Sequence, residues 1–209
     1  LLVGDTILKL CSVEDKSTYP LFGDAGTATA IEYGSDLAGF KFHSATDGSS
    51  YETIIIPDGG CRNEVTSCSF EMTEIEPGIR RNRLQIVLDG MNVFSFGISK
   101  APESIKMLKT KNEIDLAQID YFLFHQANLY MNEKIRKKLN IPIEKVPYSL
   151  KNYGNTSSAT IPLTMVTEIC QGLSTGSKNV IACGFGVGLS WGTMQFITDK
   201  PVISDIVEC

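Results

Sequence analysis

The stretch Tyr121-Phe122-Leu123-Phe124-His125-Gln126-Ala127-Asn128 decides the architecture. Its four apolar residues suit a short buried strand, and Asn128 suits the cap of a helix that runs through Leu139 and has stopped by Pro142. A histidine therefore leaves the carboxyl end of a strand just ahead of a helix, where open α/β sheets gather ligands. A hydrogen-bonded structural histidine fits the same local sequence equally well.

Downstream, a short strand is expected at Val146 to Ser149. A helix is expected from Thr156 to Gly172, with Pro162 near its beginning and Gly172 near its end. Asn179 to Cys183 reads as a buried strand, Gly184-Phe185-Gly186-Val187-Gly188 as a glycine-rich corner, and Leu189 to Thr198 as a strand returning beside the first. Upstream, Val93, Phe94, Phe96, Gly97, Ile98, Ala101, Ile105 and Leu108 follow helical spacing up to about Lys111. This alternation predicts a layered α/β architecture.

Nearer the amino terminus, Leu1 to Leu10 and Ala25 to Tyr33 have strand composition, and Gly23-Asp24-Ala25-Gly26 predicts a close approach of backbones. From Gly34 to Arg83 the chain is turn-rich around one short strand, Thr53 to Ile56, and reads as a linker or insertion.

The 209 residues carry 19 basic and 24 acidic side chains, a net charge of -5, with 43% hydrophobic residues. These values suit compact globular domains and give no general reason to expect a nucleic-acid partner. The longest nearly uncharged apolar run, Val180 to Trp191, falls well short of the ~20 residues a membrane-spanning helix requires. Leu1-Leu2-Val3-Gly4-Asp5 resembles the middle of a strand, so the chain is expected to be a piece of a longer protein. Cys11, Cys61, Cys68, Cys170, Cys183 and Cys209 form no C-x-x-C pair, and His43 and His125 lie at no zinc-like spacing. No metal, reduced thiols and a cytoplasmic location are the expectation.

Three features carry candidate chemistry. The first is His125. The second, Asn152-Tyr153-Gly154-Asn155-Thr156-Ser157-Ser158-Ala159, puts Asn155 before a helix, where it is either an N-cap or a functional amide. The third is the corner from Gly184 to Gly192, where glycines let backbone N–H groups approach a ligand closely or merely satisfy packing.

In this order and spacing, the chain resembles the thiolase superfamily, and most closely the β-ketoacyl-acyl-carrier-protein synthase III family. The matching segments are Asp89-Gly90-x-x-Val93-Phe94, His125-Gln126-Ala127-Asn128, Gly154-Asn155-Thr156-Ser157 and Gly184 to Gly192, with Phe22-Gly23-Asp24-Ala25-Gly26 and His43-x-x-x-Asp47-Gly48-Ser49 upstream. The resemblance implies a thiolase-like α-β-α-β-α fold. Residues 1–83 would be the end of its N-terminal half with an insertion, 84–198 a complete C-terminal half, and 199–209 a tail.

It also implies decarboxylating condensation of an acyl-CoA primer with malonyl-acyl carrier protein, in fatty acid biosynthesis, by a homodimer without cofactor. His125 and Asn155 match the catalytic histidine and asparagine, and the backbone N–H of Val187 matches an oxyanion donor. The nucleophilic cysteine matches none of the six here and would lie upstream. Cys183 falls one residue away from a proton-shuttling cysteine of degradative thiolases and reads as a buried strand thiol.

Gly90, Phe94, Ala127, Asn128 and Phe185 match the pantetheine tunnel, a role compatible with core packing. Lys134, Lys137 and Lys138 share one helix face, which reads either as a solvated surface or as a docking patch for an acidic carrier protein. Tyr130 stands where family members may carry an arginine. The other readings of the whole chain are a specialised acyltransferase or secondary-metabolite condensing enzyme of the same superfamily, and a non-catalytic carrier-binding module.

The chemistry explains the residue types. Decarboxylation of a malonyl thioester leaves an enolate, and two uncharged donors on the thioester oxygen, imidazole Nε2–H and amide NH₂, lower its cost.

Overall fold

The computed structural model describes residues 1–34 and 39–208. The chain begins with β1 (Leu2–Asp5), which pairs antiparallel with β2 (Ala25–Ala28). Gly4 and Gly26 face each other in this ribbon, and a Cβ on Gly4 would lie 3.0 Å from the Gly26 Cα, so the backbones do approach closely. Both strands are shorter than their composition suggested. Beyond Thr6 the chain turns into a 3₁₀ segment, Ile7–Leu10, where the Asp24 carboxylate accepts the Leu8 N–H at 2.9 Å.

β3 (Lys41–Thr46), β4 (Ile54–Ile55), β5 (Thr73–Glu76), β6 (Ile79–Arg81) and β7 (Val87–Leu88) follow. The turn-rich stretch thus holds more strands than expected, while its residues 35–38 lie outside the described residues. Buried carboxylates pin it. Asp15 pairs with Arg81 at 2.9 Å, and Asp58 receives two bonds from the Arg83 guanidinium at 2.8 Å. Burial raises the Asp15 carboxyl, but the hydrogen bonds from Ser17 and Arg81 together hold it below the usual carboxylate range, and the Arg83 contact does the same for Asp58.

α1 (Gly90–Asn112), β8 (Tyr121–Phe124), α2 (Leu129–Lys138), α3 (Leu150–Tyr153), α4 (Thr160–Glu168), α5 (Cys170–Ser174), β9 (Ser177–Gly186) and β10 (Ser190–Asp199) complete the chain. The main sheet has the order β3-β10-β9-β8, parallel only between β8 and β9. β3, from the 1–83 segment, forms an edge of this sheet. Its sequence, Lys-Phe-His-Ser-Ala-Thr, alternates too weakly to announce a strand.

Period-two alternation builds two cores. Phe122, Phe124, Ile181 and Cys183 face Ile105, Leu108 and Ile135 of α1 and α2. Leu123, Val180 and Ala182 face Ile169 and Leu173 on the other side. The result is one helix-sheet-helix sandwich with the β1-β2 ribbon beside it.

Three expectations need correction. Val146–Ser149 is not a strand, because the Ser149 N–H is taken by the buried Gln126 side-chain oxygen at 3.2 Å instead of a ladder partner. The helix from Thr156 is broken. Ser157–Ala159 is a 3₁₀ turn, and Ile169 leaves helical geometry at φ -130°, ψ 11° while packing into the second core. Gly184, Phe185 and Gly186 are strand residues, which leaves Val187, Gly188 and Leu189 as the corner.

Candidate active site

The β8-β9 ladder ends in an additional bond from the His125 N–H to the Cys183 carbonyl, 2.8 Å. Immediately beyond it, the Asn128 side chain caps α2 by accepting the Met131 N–H at 2.8 Å, while Asn132 donates its amide to the His125 carbonyl at 3.1 Å. These bonds fix the backbone that carries the imidazole. The ring meets Phe185 edge-on, with centroids 5.5 Å apart, and its Nδ1 lies 2.8 Å from Thr160 Oγ1.

Asn155 is held by a different part of the chain. Its N–H donates to the Leu21 carbonyl at 2.9 Å, and its carbonyl accepts the Gly23 N–H at 3.0 Å. Gly154 supplies the turn before it at φ 64°, a region that side chains rarely adopt. The Asn155 amide oxygen accepts the Ser157 N–H at 2.9 Å. Only the oxygen can accept from that backbone donor, so the side-chain NH₂ is left as the group available to a ligand.

Both side chains line one cavity of about 850 Å³. Gly90, Ala127, Asn128, Phe185 and Val187 also line it. Of these, Val187 is largely exposed. Phe94 is absent from the wall. One residue further along α1 than Val93, it turns away and stacks on Tyr130, with centroids 5.5 Å apart and planes at 13°. Val93, Phe96, Met131 and Trp191 line the cavity instead, and only their apolar character hinted at this.

The lysines lie on exposed α2 surface. Lys134 Nζ is 5.2 Å from the Tyr130 ring centroid, Lys137 is 4.0 Å from Glu133, and Lys138 donates to the Ile98 carbonyl at 3.0 Å. Arg136 holds the Glu133 carboxyl down at about 2, so that carboxylate stays charged at neutral pH.

None of the five described cysteines lines the cavity, and Cys209 lies outside the described residues. Cys183 is buried below α1, where burial pushes its thiol up to about 12 and Thr193 Oγ1 donates to its sulfur at 3.3 Å. An inert strand thiol fits this geometry. No group of three or more His, Cys, Asp or Glu side chains able to hold a metal occurs among the described residues. No helix among them is long and apolar enough to cross a membrane.

Burial lowers the His125 pKa from 6.5 to about 4. The imidazole is therefore neutral at physiological pH and does not repel or over-stabilise charge before a ligand arrives. The unfolded chain takes up this proton first on acidification. His125 thus contributes stability above about pH 6.5 that is lost as pH falls to about 4. Imidazole NMR should show His125 neutral down to about pH 5, and His125→Gln should lose less stability than wild type between pH 6.5 and 4.5. A midpoint near 6.5 would contradict this enclosure.

The profile of the family described as 3-Oxoacyl-[acyl-carrier-protein (ACP)] synthase III C terminal matches residues 110–196. Beta-ketoacyl-[acyl-carrier-protein] synthase III of Trichodesmium erythraeum is 35% identical over 202 residues, covering 94% of this chain and 58% of the relative. The Streptococcus gordonii protein of the same name is 34% identical over 197 residues, covering 93% and 57%. Among solved structures, 3-oxoacyl-(acyl-carrier protein) synthase from Burkholderia xenovorans superposes with a TM-score of 0.84 at 33% identity, covering 100% of this chain and 58% of that one. The chain thus spans just under three-fifths of the length of these relatives.

Proposed function

Because the chain is a β-ketoacyl-acyl-carrier-protein synthase III-like member of the thiolase superfamily, we propose that it forms the enolate-stabilising part of a decarboxylating condensing enzyme of fatty acid biosynthesis. The observation that carries this reading is the pair of uncharged groups lining one cavity. His125 and Asn155 come from separate elements, and the Asn155 amide is turned by the Ser157 N–H so that its NH₂ is free.

In the proposed step, the malonyl C–C bond to the carboxylate breaks and CO₂ leaves. The electron pair moves into the thioester, whose oxygen becomes an enolate oxygen held by the two donors. The enolate carbon then attacks an acyl thioester, a C–C bond forms, and the C–S bond of the acyl group breaks with the thiolate as leaving group. A cysteine outside these 209 residues carries that acyl group, and the Val187 N–H assists at its carbonyl. The cavity takes the pantetheine arm of acyl-CoA and of malonyl-acyl carrier protein, in a cytoplasmic homodimer that needs no cofactor.

The test is a polypeptide that joins this chain to the remaining part its relatives possess, given labelled acetyl-CoA and malonyl-acyl carrier protein. Equal release of CO₂ and β-ketoacyl product is expected. Acyl transfer with no CO₂ release would reject the reading.

Lys134, Lys137 and Lys138 are exposed on α2, the helix whose Met131 lines this cavity, and are proposed to receive the acidic carrier. Reversing all three to Glu should raise KM for malonyl-acyl carrier protein about tenfold at low salt and leave KM for the acyl-CoA primer within about twofold. The difference should fade at high salt. Equal changes for both substrates would identify a solvated face.

A further inference from the structure

The turn that leads into α4 draws on acceptors from outside itself. Ser157 stands at φ 52°, in the left-handed region that residues other than glycine seldom occupy, and the 3₁₀ turn it begins receives no side-chain bond from its own cap residue, Thr156. The N–H groups of Ala159 and Thr160 go to the carbonyls of Thr156 and Ser157. Those of Ser157 and Ser158 do not. Ser157 donates to the Asn155 amide oxygen at 2.9 Å, and Ser158 donates to the Asp5 carboxylate at 3.2 Å.

Asp5 is the last residue of β1, and the same oxygen that receives the Ser158 N–H also accepts the Ser158 hydroxyl at 2.6 Å. Both flanks of the turn are fixed independently, Asn155 by its backbone bonds to Leu21 and Gly23, and Ala159 and Thr160 by burial. Relief of the Ser157 backbone is therefore a movement of the short stretch between these flanks, and it carries both serine N–H groups off their acceptors. Asp5 supplies two bonds that oppose it. The Asn155 amide oxygen supplies a third, and if that one breaks, the amide loses the donor that orients it.

We infer that Asp5 is a positioning residue of the site, holding the Ser157-Ser158 turn in the strained form that orients the Asn155 side-chain NH₂ toward a ligand in the cavity. Its effect on the reaction rests on the enolate reading above, since that reading needs a donor at Asn155. The hold itself rests on the hydrogen bonds. The Ser158 hydroxyl, working against burial, also keeps the Asp5 carboxyl below the ordinary aspartate range.

NMR of the condensing polypeptide labelled at asparagine reports the side-chain NH₂ groups, and Asn155→Ala identifies the Asn155 pair. Asp5→Asn keeps an oxygen acceptor in place and should leave these signals close to their wild-type positions. Asp5→Leu removes the acceptor and should shift and broaden them. Wild-type Asn155 signals in a folded Asp5→Leu would overturn the inference. A second check needs no variant of Asp5. Its carboxyl carbon should titrate below the ordinary aspartate value in the wild type and move back toward it in Ser158→Ala. Ordinary titration in the wild type would equally overturn the inference.

In the same polypeptide, Asp5→Leu should lower kcat for CO₂ release about tenfold with KM for malonyl-acyl carrier protein nearly unchanged, and Asp5→Asn should recover most of the loss. Shifted Asn155 signals in Asp5→Leu together with undiminished CO₂ release by Asn155→Ala would leave Asp5 in its role and reject the enolate reading. Loss of CO₂ release in Asn155→Ala with wild-type Asn155 signals in Asp5→Leu would do the reverse.

Discussion

His125→Ala and Asn155→Ala, each in the condensing polypeptide, should lower CO₂ release from malonyl-acyl carrier protein on the order of 10²-fold or more while acyl transfer from acyl-CoA continues. The effect should be large because, in the proposed step, these groups act on charge that appears only when the carboxylate departs. A donor in place beforehand costs no reorganisation at that moment. Losing either leaves the enolate oxygen with one partner in a largely apolar cavity, so the two losses should combine to less than their product. Separate assays of labelled acyl transfer and CO₂ release check this. Wild-type CO₂ release by either variant removes that residue from the mechanism.

Gly23→Ala is expected to be the most damaging substitution outside the cavity, costing about 2–4 kcal/mol. A Cβ at this position would collide with the carbonyl oxygen of Tyr153, and that neighbour is backbone, which cannot rotate aside. The same glycine donates its N–H to the Asn155 carbonyl. Instability and displacement of the Asn155 amide should therefore appear together. Gly26→Ala, whose added Cβ meets nothing within 4 Å, is the control, with a cost of at most about 1 kcal/mol. Urea midpoints followed by circular dichroism distinguish the two. Equal midpoints would mean that the ribbon yields more readily than this packing implies.

The readable parts of the fold were those whose signal is local. β8 announced itself through four adjacent apolar residues, α2 through its Asn128 cap, and α1 through helical periodicity, and all three stand where that reading put them. β3 escaped because its identity depends on a distant partner, with Thr46 opposite Ser190, and because only alternate residues on one side of an edge strand meet the core. Val146–Ser149 misled for the opposite reason. Its composition suits a strand, but a buried glutamine side chain took the backbone donor that a ladder would have used.

The candidate site divides in the same way. His125 stood out at the end of a strand and Asn155 as an amide ahead of a helix, and the cavity is lined by both. Phe94 was placed by motif alone, and one step of helix rotation turns it toward Tyr130. Thr160 gave no sequence signal, since a threonine early in a helix is ordinary and only the fold brings it to the imidazole.

Asn155 sits in a junction stitched to Leu21 and Gly23, and the Asp5 carboxylate grips Ser158 of the same junction at 2.6 Å across a sequence separation of 153 residues. Closures of that length carry a large entropic cost and belong to the slow end of folding, whereas the neighbouring α1-β8-α2 segment is assembled from much closer partners. A molecule recovering from denaturant can therefore regain α1, β8 and α2 while the amide of Asn155, like the β3-β10 edge of the sheet, still lacks its partner. The β1-β2 ribbon, made long before the junction it clamps, must wait until residues 155–158 exist before it can dock.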